Sequence, residues 1–178
     1  MKSNLKILFK RLGAYAVDWY LYAVVLISFN TIYSTMNGIE PTYYMTLEIY
    51  DKQNLYVVMA LMFMIHFLVF VVLCKLLKGQ TIGKKLFHLR IVSKNDQPVR
   101  SVQLLLREFL GIILIEGYFS PISSYFRTFL AIQFGDIIEL QWMWYMMALV
   151  SIVIARFIKN NRMIHDLVAN TKVIQTTR

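Results

Sequence analysis

Asp18, His66, Arg107 and Glu116 are ionisable side chains set inside long apolar runs. Such groups are costly in a low-dielectric medium, so each needs a partner or a task. Arg11 and Asp18 stand two helical turns apart, on one face but about 10 Å apart along the axis, too far to pair directly. Asp18 lies about 9 Å inside its apolar run, where an ionised carboxylate costs on the order of 2.5–3.5 kcal/mol. A cation at the same depth is therefore expected. Arg107, about five residues into a later run, meets that condition and is the expected partner across two helices. A pair of this kind either only fixes helix register or moves charge. His66, central in its run, and Glu116, in the outer half of its own, add two titratable groups. With Asp18 they form a candidate stepped proton path. Each also has a plainer reading, an imidazole bridging two helices and a carboxylate reaching towards an interface.

Other chemistries are excluded by count or spacing. The single cysteine, Cys74, sits in Val71-Val72-Leu73-Cys74 and reads as an apolar filler without disulfide or zinc partners. Three histidines, at 66, 88 and 165, are too few and too scattered for a metal centre, although His165-Asp166 are adjacent. Gly79-Gln80-Thr81-Ile82-Gly83-Lys84-Lys85 falls short of a phosphate loop. Three residues separate its glycines where that loop needs four, and Lys85 stands where a hydroxyl should meet magnesium. No nucleophile, base and carboxylate are spaced for hydrolysis. No enzyme activity and no cofactor are expected.

The elements that must carry these residues are membrane helices. Of 178 residues, 58% are hydrophobic and 16% charged, too few charges to clothe a soluble core. Runs long enough to cross roughly 30 Å of hydrocarbon cover 12–33, 55–77 and 140–158, with a weaker one at 102–122 that carries Arg107, Glu108 and Glu116. Residues 121–135 are either interfacial or re-entrant. The first run is too long for a signal peptide core and is interrupted by Asp18, so it reads as a retained helix.

The net charge of +9 is distributed by topology and does not mark a nucleic-acid site. Lys2, Lys6, Lys10 and Arg11 precede the first run; Lys75, Lys78, Lys84, Lys85, Arg90, Lys94 and Arg100 lie in the central connector; Lys159, Arg162, Lys172 and Arg178 follow the last run. Segments 34–54 and 120–139 are acidic on balance. Basic flanks stay inside, so four spans with both termini cytoplasmic are expected, in a multi-pass protein of the bacterial cytoplasmic membrane. Tyr33, Tyr43, Tyr44, Tyr50, Tyr56, Tyr118, Tyr125, Trp142, Trp144 and Tyr145 then fall at the outer interface, where amphipathic rings settle. The cytoplasmic basic residues make anionic lipid the nearest partner, beside the bilayer itself. In the connector 78–101, Phe87, Leu89 and Ile91 alternate with His88 and Arg90 before Asn95-Asp96, which predicts a short β-hairpin. The fold class expected is an all-α membrane protein, a four-helix bundle with a hairpin-like cytoplasmic connector, in one domain.

Three blocks resemble the RDD family of bacterial membrane proteins, named for one arginine and two aspartates. Arg11-Leu12-Gly13-Ala14-Tyr15-Ala16-Val17-Asp18 resembles its first-helix pattern. Gly79-Gln80-Thr81-Ile82-Gly83-Lys84, with Arg107 beyond, resembles the central block. Arg162-Met163-Ile164-His165-Asp166-Leu167-Val168-Ala169-Asn170-Thr171-Lys172-Val173 resembles the closing block, in which Asp166 would be the second aspartate. Asn170 replaces a common glycine, and Asn tolerates the left-handed conformation a helix end requires. The resemblance implies a charge cluster of Arg11, Asp18, Arg107 and Asp166, the last at a cytoplasmic mouth. It also implies one of two activities. One is a small ion/proton-coupled transporter, oligomeric because four helices barely enclose a path. The other is a non-transporting accessory or immunity-type subunit that binds a partner protein.

Overall fold

The computed structural model describes residues 2–40, 47–117, 120–135, 138–158 and 161–176. It is mostly helical, with one two-stranded antiparallel sheet. Helix α1 covers Lys2–Met36, and its 35 residues extend about 52 Å, more than a bilayer's hydrocarbon needs. It ends where Gly38 takes φ +70°. There the Ile39 amide donates to the Ser34 carbonyl at 2.9 Å and the Gly38 amide to Thr35 at 3.2 Å, the double closure of a Schellman motif. Helix α2 covers Lys52–Leu76. Asp51 caps its start by accepting from the Asn54 amide at 2.8 Å, which satisfies one of the unpaired donors of the first turn. Its stretch Leu68–Leu73 is wound as a π-helix.

Among the described residues, α1 (over Lys6–Met36) and α2 are long and apolar enough to cross a membrane. Only 28% and 33% of their most apolar windows are buried by the rest of the protein, so they are not core helices of a soluble domain. Tyr20, Ile32, Met64 and Leu68 face outward. An apolar surface of this extent suits lipid.

Beyond α2 follow α3 (Ile82–Leu86), β1 (Leu89–Ser93) and α4 (101–116), which starts as an α-helix over Ser101–Leu105 and continues as a π-helix over Leu106–Glu116. Then come α5 (Pro121–Phe134), α6 (Ile138–Phe157), α7 (Ile164–Val168) and β2 (Thr171–Gln175). Helix α4 ends at Glu116, short of the expected residue 122, because Gly117 and Ser120 close a turn, with Ser120 N–H on the Gly117 carbonyl at 3.0 Å. Within α6 the apolar stretch Trp142–Phe157 is shorter than a full span. Residues 121–134 form α5, which buries Pro121, Ile122, Ser123 and Tyr125 against the other helices. Of the expected aromatic belt, Tyr43, Tyr44 and Tyr118 lie outside the described residues. Trp144 donates to the Leu114 carbonyl at 2.9 Å, and Tyr56 to Gln133 at 2.8 Å.

The connector forms a strand where alternation predicts one, but its partner is not its own hairpin arm. β1 pairs antiparallel with β2 of the C-terminal tail, Leu89 opposite Gln175 and Ser93 opposite Thr171. The returning arm manages one bridge, Val92 with Pro98, because Pro98 has no N–H to extend a ladder. This pairing brings the closing block of the sequence back to the base of α1 and α4. Leu89, Ile91 and Val173 join Ala14, Val71, Cys74, Val99 and Leu104 in one buried cluster, and Cys74 is there the apolar filler its neighbours implied.

Candidate functional site

Asp166 is fully buried, and the sequence gives it two guanidinium partners from distant helices. Arg11, near the start of α1, donates through Nη2 to Oδ2 at 2.5 Å. Arg107, in the π-wound part of α4, donates through Nη1 to Oδ1. The Met163 amide adds a bond to Oδ2 at 3.1 Å, so Asp166 also caps its own short helix. Arg162 closes the block on itself, bonding the Thr171 carbonyl at 2.8 Å and the Asp166 carbonyl at 3.0 Å. Burial opposes ionisation, but Arg107 and Arg11 outweigh it and hold the Asp166 carboxyl well below the usual carboxylate range. Asp166 is therefore held as an anion between two guanidinium groups.

Neighbouring His165 works in the opposite sense. Its Nε2 is 2.8 Å from Arg107 Nη2, and its Nδ1 is 2.6 Å from Glu116 Oε2. The His165 amide donates to the other Glu116 oxygen. Burial and the Arg107 charge push the imidazole below its ordinary value, against the pull of Asp166 and Glu116. Gly111 makes this docking possible: a Cβ there would stand 2.5 Å from His165 Cβ. Only a bare backbone lets α7 lie on α4.

Asp18 sits in a second network. It accepts from the Thr81 hydroxyl and from the Gly83 amide at 2.8 Å, and Lys84 Nζ is 3.6 Å away. It thus latches the first turn of α3 against α1. Gly83 is required here as well, since a side chain would collide with the Ala14 carbonyl and the Asp18 carboxyl carbon.

The expected Asp18–Arg107 pair does not form, because depth matching alone ignored two competitors. Thr81, Gly83 and Lys84 occupy Asp18, while Asp166 occupies Arg107. As expected, Arg11 and Asp18 do not pair with one another. Glu116 belongs to the cluster through His165 and does not stand off at a far interface. His66 bridges helices: its Nδ1 is 3.2 Å from the Tyr22 hydroxyl, and its Nε2 is 3.8 Å from Glu108 Oε2. Glu108 is a site residue that the sequence analysis did not single out. The signal was available, since one arginine sought by two carboxylates leaves one of them short.

These groups surround one cavity of about 180 Å³, room for several water molecules, between α1, α2, α4 and α6. Its wall holds Asp18, Glu108 and Glu116 with Lys84, Arg107, His66 and His165. Among the described residues no three His, Cys, Asp or Glu side chains converge as a metal site. A model of the RDD family matches residues 7–170, nearly the whole chain. No curated protein and no solved structure matches it.

Proposed function

The chain belongs to the RDD family and is membrane-associated, and we propose that it is a small ion/proton-coupled transporter whose path runs through the cavity between α1, α2, α4 and α6. One observation carries this reading. Three carboxylates and two imidazoles from three helices and the closing block line one space with room for several waters, in a protein whose flanking helices are dressed for lipid. A cation entering that space and a proton compete for the same carboxylates, which is the elementary requirement of coupled exchange. Asp166 with Arg11 and Arg107 holds the framework. Asp18, latched to the first turn of α3 on the cavity wall, serves as a titratable ion ligand.

The setting proposed is the bacterial cytoplasmic membrane, with four spans and both termini inside. The basic residues of the N-terminal segment, the connector and the tail support that orientation and favour anionic lipid at the same face. With so few helices around the path, a homo-oligomer is expected. The alternative, an accessory or immunity-type subunit that binds a partner protein, draws its support from the complete compensation of Asp166, which needs no transport role.

Purified protein in vesicles loaded with a pH-sensitive dye should move protons when an alkali cation is added outside. Asp18→Asn should slow that exchange several-fold. Wild-type protein that behaves as empty vesicles do would leave the accessory reading.

A further inference from the structure

Within the cavity the carboxylates differ in how well they are satisfied. Asp18 accepts two hydrogen bonds, and Glu116 accepts from the His165 amide and meets its ring. Glu108, 4% exposed, has ion-pair distances only: Arg107 Nε at 3.5 Å and His66 Nε2 at 3.8 Å. Both of those nitrogens are buried without a hydrogen bond. His66, 1% exposed, is otherwise fixed. Phe70 and Phe109 pack on its ring at 4.8 and 5.6 Å between centroids, and Tyr22 holds its Nδ1. A buried carboxylate with no hydrogen bond to the protein, facing an unpartnered imidazole nitrogen 3.8 Å away across a space that admits water, is placed to exchange a proton with it through one water.

We infer that Glu108 and His66, with Tyr22 behind them, are the proton-binding site of this cavity. The inference rests on the transport reading for its purpose but not for its chemistry. With Glu108 ionised, His66 carries its hydrogen on Nε2, directed at Oε2, and Nδ1 accepts from the Tyr22 hydroxyl. Loading adds one proton. Tyr22 passes its hydroxyl hydrogen to Nδ1 and receives the added proton from the bulk, relayed by cavity water that is itself reprotonated, while a water in the 3.8 Å gap relays the Nε2 hydrogen to Glu108. The products are a neutral carboxyl and the other neutral imidazole tautomer, now donating from Nδ1 to Tyr22. One proton is gained in total, and every O–H or N–H bond broken on the way is replaced by another. The charged and titratable groups near enough to act on Glu108 are Arg107 on its own helix, Lys84 from α3, Asp18, Tyr15 and Tyr22 from α1, His66 and Cys74 from α2 and Asp166 from α7. The cations keep the ionised form tenable, and the anions keep the neutral form within reach. A neutralised Glu108 no longer holds a cation, so cation and proton compete at this one carboxylate.

The test is a nitrogen NMR titration of the full chain, labelled with ¹⁵N-histidine, in lipid nanodiscs. His66→Gln identifies the resonance, and the ring shifts separate the two tautomers. In the wild type, His66 should convert from the Nε2–H to the Nδ1–H form as pH falls, in a single step. Glu108→Gln should abolish the step, and Glu108→Asp, which keeps the charge should Gln fail to fold, should move its midpoint. A His66 tautomer that stays the same across the pH range, or one that converts equally in Glu108→Gln, would overturn the assignment. Vesicle exchange runs as a separate arm. A wild type with the tautomer step but no exchange defeats the transport reading alone. Exchange whose pH profile is unaltered in Glu108→Asp defeats the site alone.

Discussion

At the scale of single residues, two networks that look alike in sequence behave differently. Asp166 is shared by two arginines, and removing one member of such a buried set leaves an uncompensated charge. Asp166→Asn and Arg107→Gln should each cost about 3–5 kcal/mol in solubilised thermal stability, and the double variant clearly less than their sum. Asp18→Asn combined with Arg107→Gln should be close to additive, because those two groups share no hydrogen bond. Chemical or thermal melts of the three single and two double variants check both statements. Acid should act in two stages. His165 is held below its ordinary value, so its contribution is present above the unfolded pKa, about 6.5, and is lost as pH falls through the folded value. Asp166 is likewise depressed, and its contribution is lost only below about pH 4. The melting temperature should decline gently below pH 6.5 and steeply below 4, with the steep limb absent in Asp166→Asn. The sequence disclosed which residues are stranded in apolar runs, since their cost is a one-dimensional property. It did not disclose who meets whom. Thr81, Gly83 and Lys84 reach Asp18 through a connector whose path is set by tertiary packing, and nothing in spacing along the chain encodes that.

At the scale of elements, the strand over Leu89–Ser93 was legible because alternation is local, whereas its pairing with Thr171–Gln175 was not, because register across 80 residues of chain is set by the buried cluster it completes. The pairing is testable with a cross-link. In a Cys74→Ala background, Arg90→Cys with Ile174→Cys should form a disulfide under mild oxidation, those positions being directly opposite. Arg90→Cys with Arg100→Cys, the positions that a hairpin continued in the register of the Val92–Pro98 bridge would oppose, should not. The two helices long and apolar enough to cross a membrane were legible from hydropathy alone. Helix α4 was harder to bound: it stops at Glu116, where Gly117 and Ser120 close a turn, and α7 docks over its Gly111, a contact between segments far apart in sequence.

For the whole molecule, the strip of basic residues fixes an expected orientation that labelling can check. In the Cys74→Ala background, Asn95→Cys should resist an impermeant reagent in intact cells, and Gln53→Cys should react. The reverse pattern would invert the topology. The joining of α1, α4 and the closing block through Asp166 means that the cavity and its framework are built from the beginning, middle and end of the chain at once, so truncation at either side should dismantle both. The most direct measurement of cation and proton competing for the cavity needs no membrane gradient. Purified protein in weakly buffered detergent solution is given lithium, sodium or potassium salt, and the pH is read with a dye. Wild-type protein should release protons on addition of at least one of these cations, in near-stoichiometric amount, and Glu108→Gln should release none. Folded wild-type protein that releases no protons with any of the three, at neutral and mildly acid pH alike, would contradict ion/proton coupling.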